Sequence, residues 1–156
     1  MSPRGPIALD HGGFAWAPLT VPGNPDPDDV AHGTATLWEW IDATIPATSP
    51  LIVIGFSQGG LMASQLLRTR PERIAATAML AGFVLGVELP GDAALEITRP
   101  PVLYCRGLND TVISPDAVTR TEAWLSSHTS ATVHTYPGLG HSIDQRVLAD
   151  LIDFLN

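Results

Sequence analysis

The chain has a single cysteine, Cys105, so no intrachain disulfide can form. Its place in the apolar run Pro101–Cys105 predicts a buried structural thiol rather than a reactive one. Basic residues are also scarce: 8 Lys and Arg stand against 16 Asp and Glu, for a formal net charge of −8. With no basic stripe to displace counterions from a polyanion, nucleic acid is excluded as a partner, and the charge reads as solubility. No apolar run approaches the ~20 residues of a membrane helix, so no membrane span is expected. Met1–Pro6 lacks the apolar segment of a secretory signal, and a cytoplasmic location is the expectation. Metal ligation finds no support, because His-Glu-x-x-His, paired cysteines and a helical His pair at i, i+4 are all missing. A phosphate-binding glycine loop and a dinucleotide fingerprint are missing too, so no cofactor is expected.

What remains is the profile of one compact domain over residues 1–156, with 45% apolar and 15% charged residues. Pro6–Leu9 reads as a brief strand before a Pro-, Gly- and Asp-rich loop. From Asp28, Val30, Leu37, Ile41 and Ile45 recur at helical spacing, with acids at Asp26, Asp28 and Asp29 and a stop at Pro46. Leu51–Ile54 is a short unalternating apolar run, the mark of a strand covered on both faces. Helical periodicity follows through Leu61, Met62, Gln65, Leu66 and Leu67 to Arg70. Further strand-like runs lie in Ile74–Val84, Pro101–Cys105 and Thr132–Tyr136. A helix starts at Ser114-Pro115, and a last amphipathic helix carries Ile143, Val147, Leu148, Leu151, Ile152 and Leu155. Strands alternating with helices predict an α/β fold, a mainly parallel sheet with helices on both faces. Functional groups of such sheets gather at the carboxyl ends of the strands.

Gly55-Phe56-Ser57-Gln58-Gly59 stands at one such end and matches the Gly-x-Ser-x-Gly nucleophile elbow. The pattern implies a sharp strand-to-helix turn that strains Ser57 and raises its hydroxyl above the sheet. Gly55 and Gly59 are expected to admit close backbone, and the Gln58 backbone N–H to face a developing oxyanion. A serine hydroxyl needs a base to take its proton. Asp110 follows the strand ending near Cys105, and His141 follows the strand ending at Tyr136. The order Ser57, Asp110, His141 is that of an α/β-hydrolase triad. Taken singly, Asp110 could stabilise its own turn and His141 could cap the last helix. Three strand-end coincidences in the right order favour the triad. His134 falls in a strand, His128 ends a helix, His32 lies in a helix and His11 in a loop, so none competes well. Asp92 fits less well than Asp110, and Asp116 reads as a first-turn helix acid.

Three segments together resemble the phospholipase/carboxylesterase family of α/β-hydrolases, which includes acyl-protein thioesterases and small bacterial carboxylesterases. They are Gly55–Gly60, Gly107–Ile113 and Gly138–Ile143, and Arg4–Trp16 is similar to a loop before the elbow in that family. The resemblance implies a serine esterase acting on small carboxylic esters, with thioesters as a second class, through Ser57, His141 and Asp110. It also implies an N-terminally shortened domain, because the family's earlier strands and their His-Gly-x-Gly loop, the second oxyanion donor, would precede this chain. Loss of one such donor costs ~10²–10³ in rate. Asp10-His11-Gly12-Gly13 offers Gly12 as a substitute donor. Missing leading strands would bare an apolar edge, so self-association into a homo-oligomer is expected. The alternative reading is a non-catalytic remnant that keeps the triad as a binding or interaction module.

Overall fold

The structure is a computed structural model that describes residues 1–10, 12–18 and 21–156. It opens on an antiparallel hairpin of two short strands, β1 (Ile7–Ala8) and β2 (Phe14–Ala15). The first is expected from Pro6–Leu9; the second is too short to leave a readable alternation. Helix α1 (Pro27–Thr44) follows, with the Asp26 carboxylate accepting the Asp28 N–H at 2.8 Å and Pro27 in the first turn. Then come β3 (Leu51–Phe56), α2 (Gln58–Thr69), β4 (Ile74–Leu80), α3 (Asp92–Thr98), β5 (Pro101–Gly107), α4 (Pro115–His128), β6 (Ser130–Tyr136) and α5 (Gln145–Leu155). Serine 114 caps α4 as expected, accepting the Ala117 N–H at 3.3 Å. The short helix α3 is the second element that the sequence pattern does not announce.

The four main strands form one parallel sheet in the order β3-β4-β5-β6. Helices α1 to α4 supply Leu37, Trp38, Ile41, Leu61, Met62, Leu66, Leu95 and Leu125 to the larger core. A smaller cluster of Ala78, Leu80, Leu103, Cys105 and Tyr136 lies under Val147 of α5. Burial pushes the Cys105 thiol up, as suits a structural cysteine. Its sulfur sits 3.2 Å from the Tyr136 hydroxyl, which donates to Asp150 at 2.6 Å. Among the described residues, no helix is long and apolar enough to cross a membrane.

Strand β3 is an edge strand, and its outward residues Ile52, Ile54 and Phe56 are 55%, 49% and 38% exposed. On α5, Leu148, Ile152 and Leu155 are exposed as well, so only part of that helix's apolar side finds the core.

Helix α2 is anchored at its far end by Arg68. The guanidinium forms a bidentate pair with Asp92, Nε to Oδ1 at 2.8 Å and Nη2 to Oδ2 at 2.7 Å, with side-chain exposures of 2% and 7%. Its other donors reach the Leu85 and Val87 carbonyls. Burial alone would push the Asp92 carboxyl up; the bonds from Arg68 and the Leu89 N–H, with the guanidinium charge, hold it below its ordinary value. A carboxyl depressed in the folded state binds fewer protons there than when unfolded. Its stabilisation is therefore full above the ordinary carboxylate range and fades as pH falls below about 3.9. Arg68→Met should cost about 3–5 kcal/mol in urea unfolding, because it leaves a buried carboxylate unpaired. A loss below about 1 kcal/mol would mean that the pair does not anchor α2.

Candidate functional site

The site is assembled at the carboxyl ends of three strands, β3, β5 and β6. At the end of β3 the chain turns directly into α2, and Ser57 adopts φ 54° and ψ −119°, a left-handed backbone for a residue with a Cβ. The turn is held by the Ser57 N–H donating to the Leu80 carbonyl at 2.9 Å. A Cβ at Gly55 would collide with the Gly59 carbonyl oxygen, so only glycine permits this approach. Gly59 plays no such part, because a Cβ there would meet open space. The close packing falls one residue later, where a Cβ on Gly60 would lie 2.8 Å from the Gly82 Cα.

The structure brings the three sequence-derived residues into one chain of hydrogen bonds. Ser57 Oγ lies 2.8 Å from His141 Nε2, and His141 Nδ1 lies 2.7 Å from Asp110 Oδ2. The Asp110 and His141 side chains are 7% and 16% exposed. An ionised carboxylate only accepts, so Nδ1 carries the imidazole proton and Nε2 is left to accept from the serine hydroxyl. The Phe56 ring lies against the imidazole, with centroids 5.0 Å apart.

Both carboxylate oxygens of Asp110 are used. Its Oδ1 accepts the Val112 and Ile113 N–H groups at 2.8 and 3.2 Å, closing its own turn, while Oδ2 faces the imidazole. The Asp110 and His141 loops are also joined to one another. Asn109 Oδ1 accepts the Gly138 N–H at 3.2 Å, the Asn109 N–H donates to the Leu139 carbonyl at 2.9 Å, and a Cβ at Gly107 would strike that same carbonyl oxygen. Gly107 and Asn109 are support residues that sequence reasoning missed as such. Their signal is that they lie in a loop which adjacent parallel strands set against the histidine loop.

Gln58 opens α2, so the helix itself has no acceptor for its N–H. Its side chain, unremarked at the sequence level, bonds the Trp16 and Ala17 backbone. Gly12 sits at the exposed hairpin turn with φ 87°, and its N–H donates to the Leu9 carbonyl at 3.0 Å. The turn, not an oxyanion, takes that donor; His11 of the same motif lies outside the described residues. His134 is in β6, His128 ends α4 and His32 is in α1; Asp92 is committed to Arg68 and Asp116 lies in the first turn of α4. Among the described residues, no group of three or more His, Cys, Asp or Glu side chains could hold a metal ion.

Known proteins of the same design can be compared with this geometry. The "Probable carboxylesterase" of Oryza sativa subsp. japonica is 25% identical over 162 residues, covering 96% of this chain and 61% of its own length. This chain therefore spans less than two thirds of that relative. The "Acyl-protein thioesterase 1" of Debaryomyces hansenii is 24% identical, covering 99% of this chain and 72% of that protein. A crystal structure of a carboxylesterase from Mesorhizobium loti superposes with TM-score 0.77 at 21% identity, covering 97% of this chain and 72% of that one. At that identity the likeness establishes the α/β-hydrolase fold alone. The sequence model described as Phospholipase/Carboxylesterase matches residues 27–156, and the chain belongs to that family.

Proposed function

We propose that the protein is a serine hydrolase that cleaves small carboxylic esters, with thioesters as a second substrate class, through an acyl-enzyme on Ser57. One observation carries the reading: the unbroken sequence of hydrogen bonds from the Ser57 hydroxyl through the His141 imidazole to the Asp110 carboxylate. His141 Nε2 takes the hydroxyl proton as Ser57 Oγ bonds to the acyl carbon. Asp110 holds the imidazole in the accepting tautomer and stabilises the imidazolium. The Gln58 N–H donates to the oxyanion of the tetrahedral intermediate. His141 then passes its proton to the leaving alcohol or thiol as that bond breaks. Water, deprotonated by the same nitrogen, attacks the acyl carbon; the acyl–Oγ bond breaks, Ser57 Oγ takes the proton back from His141, and the carboxylic acid leaves.

Hydrolysis of short-chain aryl esters tests the reading. The expected result is a burst of aryl alcohol equal to the protein concentration, followed by slower steady turnover. A folded protein giving neither burst nor turnover would contradict it and favour a binding module.

A cytoplasmic setting suits one buried thiol and no disulfide. Self-association belongs to the same proposal, supported by the unpaired edge of β3 and its exposed Ile52, Ile54 and Phe56. Sedimentation at micromolar concentration should give at least a dimer, and Ile54→Lys should return the monomer. A wild-type protein that stays monomeric throughout that range refutes the association.

A further inference from the structure

We propose that the side-chain amide of Gln58 is a positioning element. It docks the Phe14–Ala17 segment onto the nucleophile elbow and so fixes the peptide whose N–H faces the oxyanion. This rests on the hydrolase reading above. Gln58 Oε1 accepts the Trp16 N–H at 2.8 Å, and Nε2 donates to the Ala17 carbonyl at 2.8 Å, across 42 and 41 residues of chain. One planar group thus bonds the backbone of two successive residues, as a neighbouring strand would. The pairing needs one donor and one acceptor on the same head group, which a glutamine supplies and a carboxylate, acceptor-only when ionised, does not.

The docked segment is built to be held there. Ala15 and Ala17 are buried, and the Trp16 carbonyl packs on Gly33 of α1 so closely that a Cβ at Gly33 would collide with it. Trp16 lines an open cleft of about 390 Å³ together with Phe56, Gly59, Met62, Ala63 and Leu66. Phe56 and Gly59 flank Ser57 and Gln58, and the last four of these residues belong to α2. The cleft wall and the proposed oxyanion donor are therefore tied together through a single side chain. Gln58 is held at both ends, by the helix start through its backbone and by Trp16 and Ala17 through its amide. Without the second hold, the strained Ser57–Gln58 peptide has less to keep it at the angle an oxyanion requires.

Two variants test this. Gln58→Met keeps the length of the side chain and removes both bonds. It should lower kcat about 10²-fold with KM little changed, because the misplaced contact is one made in the transition state. Hydrogen exchange of the Trp16 amide should speed up in the same variant. Gln58→Glu retains the acceptor for Trp16 but turns a carboxylate toward the Ala17 carbonyl. Protonation restores the donor, so its kcat relative to wild type should climb as pH is lowered from about 8 to about 5.5, while that of Gln58→Met stays flat. A purely structural side chain would shift unfolding without this pH signature. Unchanged kcat in Gln58→Met, or unchanged Trp16 amide protection, overturns the proposal. A wild-type chain without turnover overturns the hydrolase reading instead, and amide protection then decides the docking by itself.

Discussion

Ser57→Ala and His141→Ala are each expected to lower kcat on a short-chain aryl ester by about 10⁶-fold, and the double variant to do no further harm. The reason is that the two groups act as one unit. Without the 2.8 Å bond between Ser57 Oγ and His141 Nε2, the hydroxyl keeps its proton; without the hydroxyl, the imidazole has nothing to activate. What survives is catalysis by the oxyanion donor and by substrate binding. Neither side chain fills the core, so urea unfolding should move little, and circular dichroism should report an intact fold. Additive losses, or a Ser57→Ala protein that still turns over, would place the nucleophile elsewhere.

Asp110→Asn is expected to cost about 10⁴-fold in kcat while leaving the fold in place. The direction follows from which oxygen does what. Oδ1 accepts two backbone N–H groups, from Val112 and Ile113, so the amide oxygen of the variant must stay on that side. Its NH₂ then faces His141 Nδ1, where Oδ2 was accepting at 2.7 Å. An NH₂ donates, so Nδ1 must accept and the ring proton moves to Nε2. In that tautomer Nε2 donates toward Ser57 and can no longer take its proton. Every hydrogen bond of the loop is kept, and the chemistry is lost. Asp110→Ala should also lose activity but, with the Val112 and Ile113 N–H groups unpaired, should lose about 1–3 kcal/mol of stability as well. An Asp110→Asn protein within about tenfold of wild type would mean that the carboxylate only closes its turn.

Local signals made the strand ends legible. Unalternating apolar runs, capping residues and the Gly-x-Ser-x-Gly spacing act over a few residues each, and with them the positions of Ser57, Asp110 and His141 at loops after β3, β5 and β6 could be read from the chain. Contacts between distant segments were not legible. The Gln58 amide meets backbone more than forty residues away, and no pattern near either partner announces the pairing. The same holds for Gly60, whose close partner Gly82 comes from the loop after another strand, while the motif points to Gly59. Strand β2 and helix α3 were missed for a different reason. Two residues carry no periodicity, and Asp92–Thr98 is shorter than two full turns, so tertiary contacts such as the Arg68–Asp92 pair hold it rather than its own pattern.

The most direct measurement of the central claim is covalent labelling by a fluorophosphonate, with the adduct mapped by peptide mass spectrometry. An activated hydroxyl at residue 57 predicts one adduct per chain, on the peptide carrying Ser57, and none in His141→Ala. A folded wild-type protein that takes up no label, or takes it at a different residue, would contradict the account.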